Sequence, residues 1–171
     1  MTHVEFERAF DAHRDAVYRF AWRMSGPAVA EDVTQEVFLS LLTQPDRFDP
    51  SRGTLRAFLL GVARNVVLKH WRHAHRWEPL DEEDQLAAAP LETDGREIAD
   101  LVAAAVRSLP PLQREVVILA EYEECSLDDI AQAVDAEIGT VKSRLHRARE
   151  RLRRMLAPIA SARCHAADRR S

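Results

Sequence analysis

A chain of 171 residues, 46% hydrophobic and 30% charged, has room for one ordinary domain or two small ones. With 5 glycines and abundant Ala, Leu, Arg and Glu it favours helix, and its two cysteines, Cys125 and Cys164, make no disulfide framework. No apolar run approaches the roughly 20 residues that span a bilayer, and the first residues lack a basic start followed by an apolar stretch. A cytoplasmic location and no membrane partner are the simplest expectations.

The net charge of −4 by itself argues against a nucleic-acid binder, but the charge is segregated. Residues 63–76 hold four bases (Arg64, Lys69, Arg72, Arg76) and no acid. Residues 78–97 hold eight acids against Arg96. Residues 138–156 hold seven bases against Glu150. Local fields of this kind, not net charge, decide where a polyanion docks.

In chain order, Phe6, Phe10, His13, Val17, Phe20 and Met24 step by 4 and 3, which predicts a helix with one apolar face, ended by Ser25-Gly26-Pro27. Val33, Val37, Phe38, Leu41 and Leu42 predict a second helix, stopping near Pro45. Asp49-Pro50-Ser51-Arg52-Gly53 reads as a loop. Thr54 can cap a third helix that turns Leu55, Phe58, Leu59, Val62 and Val66 inward and runs into the first basic segment. Residues 78–96 are acidic, hold Pro79 and Pro90 and show no period, as a linker does. The blocks on either side each need a core.

In the second block, Leu101, Val102, Ala105, Val106 and Leu109 mark a helix broken by Pro110-Pro111, and Pro111 can begin the next, which buries Leu112, Val116, Leu119 and Ala120. Ser126-Leu127-Asp128-Asp129 resembles a capping box with Asp in place of Glu. A short helix bearing Ile130, Ala131 and Val134 follows. A turn, Asp135-Ala136-Glu137, leads to a helix over 138–156 anchored by Ile138, Val141 and Leu145. A short capped helix, a tight turn and a second basic helix make a helix-turn-helix, whose second helix enters the major groove. Its face between the anchors carries Lys142, Ser143, Arg144, His146, Arg147 and Arg149. Arginine can bond guanine through both fork nitrogens, serine can reach base or phosphate, and lysine neutralises phosphate. A solvated basic face on a helical hairpin is the competing reading.

Leu109-Pro110-Pro111-Leu112-Gln113-Arg114-Glu115-Val116, Ser126-Leu127-Asp128-Asp129-Ile130-Ala131 and Gly139-Thr140-Val141-Lys142-Ser143-Arg144-Leu145-His146-Arg147-Ala148-Arg149 resemble region 4 of the sigma-70 family, in its small extracytoplasmic-function class. Ala30-Glu31-Asp32-Val33-Thr34-Gln35-Glu36-Val37-Phe38 and Phe58-Leu59-Leu60-Gly61-Val62-Ala63-Arg64-Asn65 are similar to its regions 2.2 and 2.3. The resemblance, over about residues 5–156, implies an all-α chain: region 2 over residues 1–77, the acidic linker 78–96 and region 4 over 97–157. The small, polar and basic composition after Pro158 predicts a disordered tail over 158–171. The sequence shows no phosphate-cradling glycine loop, no nucleophile elbow, no convincing carboxylate pair and no pair of Cys-x-x-Cys clusters, so no enzyme, cofactor or metal is expected. The resemblance implies a bacterial initiation factor. Its implied partners are core RNA polymerase (the clamp helices of the largest subunit and the flap region), promoter DNA and an anti-sigma factor.

By the same resemblance, Asp32, Gln35 and Glu36, spaced i, i+3, i+4 on one helix face, dock on the polymerase clamp helices. Asn65, with the loop 48–53, holds a flipped base of the −10 element. Lys69, Trp71, Arg72, His73 and Arg76, with His70 between them, line the path of the melted strand, where cations track phosphates and an aromatic ring stacks on bases. Lys142, Ser143, Arg144, His146, Arg147 and Arg149 read the −35 element, and the linker resembles a segment that threads toward the RNA exit channel. Two departures stand out. Asp135 occupies a turn position where the family often has glycine, and Asp tolerates the left-handed conformation. Lys69-His70-Trp71 replaces a commoner aspartate-tyrosine-leucine-like stretch. The residues also allow a stand-alone helix-turn-helix regulator, which has no need of the Asp32/Gln35/Glu36 face or of a second basic helix, or a module whose basic faces bind an acidic protein.

Overall fold

The computed structural model describes residues 1–74 and 97–168. Within them lie α1 (His3–Ser25), α2 (Pro27–Thr43), α3 (Leu55–His73), α4 (Ile98–Ser108), α5 (Pro111–Val117), α6 (Leu127–Val134) and α7 (Ile138–Asp168), with no strand. A 3₁₀ turn (Pro45–Arg47) follows α2, and a π-helical turn (Ile118–Tyr122) continues α5. The fold is all-α, as expected, with α1–α3 in one group and α4–α7 in another. The linker 78–96 and Arg76 lie outside the described residues.

Local chemistry sets the helix starts. Thr2 opens α1 with a reciprocal box: its hydroxyl accepts from Glu5 N at 3.2 Å and its N–H donates to the Glu5 carboxylate at 2.6 Å. Gly26, at φ 86°, makes the corner that a side chain would strain, and Pro27 starts α2 in a position that needs no N–H. Thr54 caps α3 by accepting from Ala57 N at 3.1 Å. Ser126 caps α6 by accepting from Asp129 N at 3.1 Å. The Asp129 carboxylate turns away from the box and accepts from the Thr54 hydroxyl, 3.1 Å off in the other group.

The first group forms around Val17, Phe20 and Met24 of α1, and Phe10 meets Phe38 of α2 edge-on, ring centroids 4.8 Å apart. The buried stripe of α2 is Ala30, Val33, Thr34, Val37, Phe38 and Leu41. Leu42, expected inward, sits one residue off that stripe, about 100° around the helix, and is 53% exposed; Leu39 is 60% exposed.

Helix α3 is buried on more than one face. Leu59, Leu60, Ala63, Val66, Val67 and Leu68 are all buried, because α3 packs on α1 and α2 and also on α6. A helix apolar around most of its circumference belongs in an interior. Ala57, Gly61 and Arg64 share one face of it by their spacing. A Cβ on Gly61 would stand 3.1 Å from Ala133 O, so glycine lets the α3 and α6 backbones close up. The buried side chains therefore form one continuous cluster through both groups, where the sequence suggests a separate core for each block. The end of the chain differs as well. Helix α7 passes through Pro158 to Asp168, and Ile159 is buried. That apolar contact holds in helix a stretch that the proline and the small polar residues mark as a tail.

Candidate nucleic-acid interface

The helix-turn-helix forms where expected. Helix α6 ends at Val134, and Asp135 takes the left-handed conformation at φ 51°, ψ 56°, which its short polar side chain tolerates. Ala136 N donates to Ala131 O at 3.0 Å, closing the turn into α7. Val141, Leu145, Ala148 and Met155 are buried along α7, but Ile138, expected as an anchor, is 37% exposed.

Between these anchors Lys142, Ser143, His146, Arg147 and Arg149 face solvent. The Ser143 hydroxyl donates to Thr140 O at 3.0 Å. Arg149 lays its guanidinium fork on Glu121 of the π turn, at 2.9 and 2.6 Å, which fixes its direction. Arg144 departs from this face. Its side chain is 11% exposed and its Nη1 lies 3.9 Å from Glu115 Oε1. Beside α7, burial raises the Cys125 thiol above its ordinary value, away from the reactive thiolate.

On α3, Asn65, Lys69, Arg72 and His73 face outward. Trp71 is half-buried: its Nε1 donates to the Ser25 hydroxyl at 2.9 Å, and the Arg114 guanidinium lies 5.6 Å from its ring centroid. Asp32 and Gln35 are exposed on α2. Glu36 leans toward α3, 2.8 Å from Lys69 Nζ and 3.8 Å from His70 Nε2. The structure thus joins a residue expected to dock polymerase with two expected beside the DNA strand. Leu39 and Leu42 extend the α2 face at i+7 and i+10 from Asp32. The apolar spacing of α2 hides them, since they sit beside inward positions.

Sequence reasoning missed two buried acids altogether. Glu115 and Glu123 are 0% and 1% exposed. Arg64 Nε donates to Glu115 Oε2 at 2.6 Å. Glu123 receives the fork of Arg19 at 3.2 and 3.0 Å and Arg56 Nη2 at 2.9 Å. Burial raises the Glu115 carboxyl above its usual range, and Arg64 counters this. Arg114 donates across the groups to Met24 O at 2.9 Å, and burial brings its pKa down to about 10, so it remains a cation at neutral pH.

Two basic faces on separate helical groups, one of them a helix-turn-helix, frame the comparison with known proteins. Residues 9–77 match Sigma-70 region 2 and residues 99–152 match Sigma-70 region 4. The RNA polymerase sigma-E factor of Streptomyces coelicolor is 33% identical over 156 residues, 90% of this chain and 86% of that protein. The chain belongs to the sigma-70 family, in its extracytoplasmic-function class. The ECF RNA polymerase sigma factor SigE of Mycolicibacterium smegmatis is 37% identical over 158 residues; the match takes in 87% of this chain and only 60% of that longer protein. Among solved structures, the sigma factor RpoE in complex with the anti-sigma factor NepR from Bartonella quintana aligns with a TM-score of 0.71 at 28% identity, over 90% of this chain and 97% of that one. CnrH in complex with the cytosolic domain of CnrY shares the fold at a TM-score of 0.69. Sigma factors are transcription initiation factors, not enzymes, and the region 2 match disfavours the stand-alone regulator. No described helix is long and apolar enough to cross a membrane.

Proposed function

We propose that this sigma factor binds core RNA polymerase in the cytoplasm and brings it to promoters through two short contacts. Residues 97–157 read the −35 element as duplex, with Lys142, Ser143, Arg144, His146, Arg147 and Arg149 on the reading helix. Residues 1–77 hold the melted −10 strand, with Asn65 taking a flipped base and Lys69, Trp71, Arg72, His73 and Arg76 along its path. Asp32, Gln35 and Glu36 meet the clamp helices of the largest subunit, region 4 meets the flap region, and an anti-sigma factor holds the chain inactive. Trapping a single strand opens the promoter without hydrolysis.

The observation that carries this reading is the exposed basic face of α7, set beyond a capped α6 and a left-handed Asp135, with a second basic helix in the other group. The net-acidic chain needs no more, because the polymerase shares the work of holding DNA. Transcription in vitro with core polymerase on a genomic library, with start sites mapped, tests it. Transcripts that start downstream of two shared short elements are expected. Initiation no different from core polymerase alone would refute it.

A further inference from the structure

Helix α7 carries cations around much of its circumference, and two of them are held by acids of the segment before it. At about 100° per residue, Arg144 and Arg149 stand about 140° apart around the axis. The buried residues Val141, Leu145, Ala148 and Met155 fall in the arc between them. Lys142, Ser143, His146 and Arg147 fall in the opposite arc and face solvent. The two arginines therefore mark the two edges of the buried stripe.

Each edge meets a carboxylate. Arg144 Nη1 lies 3.9 Å from Oε1 of buried Glu115 on α5, whose other oxygen accepts from Arg64 Nε at 2.6 Å. Arg149 donates from both Nε and Nη2 to a single oxygen, Oε1 of Glu121, at 2.9 and 2.6 Å. Glu121 sits in the π-helical turn Ile118–Tyr122, where Glu123 N reaches back five residues to Ile118 O at 3.1 Å. Widened turns of this kind are rare and interrupt a helix locally. About half of each side chain in the Arg149–Glu121 pair is exposed, so the pair adds little to stability.

What the pair supplies is direction. Apolar burial follows area and has no preferred direction, whereas a charged fork accepts little angular error. A roll of about 20° moves a side-chain tip about 6 Å from the helix axis by about 2 Å, which breaks a hydrogen bond to a base edge. We infer that Glu121 is a positioning residue for promoter reading: it holds one edge of α7, with Glu115 at the other, and so fixes the rotation at which Lys142, Ser143, His146 and Arg147 face the −35 element. This rests on the proposed function for what is read; the hold on α7 is a property of the free chain.

A distance measurement tests the hold without DNA or polymerase. In a chain with Cys125→Ser and Cys164→Ser, spin labels on Asp128→Cys of α6 and Ser143→Cys of α7 report where the outward face points; both positions are exposed. A narrow distribution of label-to-label distance is expected for this parent chain. Glu121→Ala should shift or broaden it by about 2 Å, with unchanged helical circular dichroism. Glu121→Gln keeps an oxygen for Arg149 and should leave the distribution narrow. An unchanged distribution in Glu121→Ala, or the same change in both variants, would overturn the inference.

Transcription tests the consequence. Core polymerase with the wild-type chain or either variant initiates from a mapped promoter whose −35 positions are changed one at a time. A wrong base pair typically costs a reader about fivefold or more, and Glu121→Ala should cut that preference by about threefold. Both variants remove the same negative charge beside DNA, so Glu121→Gln controls for charge and should keep the wild-type preference. Preference retained by Glu121→Ala, or lost equally in both variants, would overturn the inference. A wild-type chain indifferent to every −35 change would count against the proposed function and leave the distance distributions to judge the hold on α7.

Discussion

The two basic helices of this chain are built on opposite plans. Helix α7 keeps a narrow buried stripe and shows most of its cations to solvent. Helix α3 is buried against both groups, and three of its cations, Arg56, Arg64 and Lys69, already hold carboxylates. On the proposed function, α7 docks on duplex DNA from outside and can be mostly surface. Helix α3 joins two helical groups and has to be mostly interior, so the strand proposed to lie on it is left Asn65 and the last two turns.

That contrast can be broken experimentally. The largest effect is expected on α7. Each well-placed fork to a base is worth about 1–3 kcal/mol, so Arg144→Ala with Arg147→Ala should abolish transcription from the cognate promoter while core polymerase still binds. Loss of polymerase binding in co-elution would remove the reading role from these residues.

Next comes the buried pair on α3. Arg64→Ala takes from buried Glu115 its hydrogen-bonded cation and leaves it only Arg144, 3.9 Å away; removing one partner of a buried pair typically costs about 3–5 kcal/mol. The exposed Lys69–Glu36 pair is worth about 1 kcal/mol or less, so Lys69→Ala should barely move the melting temperature. Equal losses in thermal unfolding would erase the difference between the two sites.

Asn65→Ala should impair promoter opening more than initial binding, because an amide can read a flipped base that is unavailable in duplex. Normal permanganate reactivity would rule out that role. On the neighbouring helix, Asp32→Ala with Glu36→Ala should weaken association with core polymerase about tenfold, some 1.4 kcal/mol. Unchanged co-elution would take the α2 face out of the docking surface.

The smallest effect concerns pH. Burial, helped by Arg56, holds the His13 imidazole below its ordinary value. The folded chain then takes up this proton less readily than the unfolded chain. Stability is unaffected by His13 above about pH 6.5 and is lost as pH falls below it. His13→Gln should flatten that loss in urea unfolding at pH 7.5 and 5.5; an unchanged slope would place the titration elsewhere.

How much of this the sequence disclosed depended on whether a feature is local. Helix periods, the Thr54 and Ser126 caps and the left-handed Asp135 are set by residues a few positions apart, and the structure agrees with them. The outward face of α7 was equally plain, except for Arg144, whose direction is decided by Glu115, some thirty positions earlier. Glu115 and Glu123 gave no signal, because a lone acid among apolar residues looks like any solvated one until its arginines arrive from another helix. The doubled apolar character of α3, in Leu59-Leu60 and Val66-Val67-Leu68, was the available hint that it has two neighbours. Leu42 was misplaced because a one-residue slip around α2 separates its interior from its surface.

The close approach at Gly61 sets a limit on change. The α3 backbone lies so near Ala133 that one added methyl would stand 3.1 Å from its carbonyl oxygen, tighter than ordinary packing. Every other amino acid adds at least that carbon at position 61, so the seam between α3 and α6 admits glycine and little else.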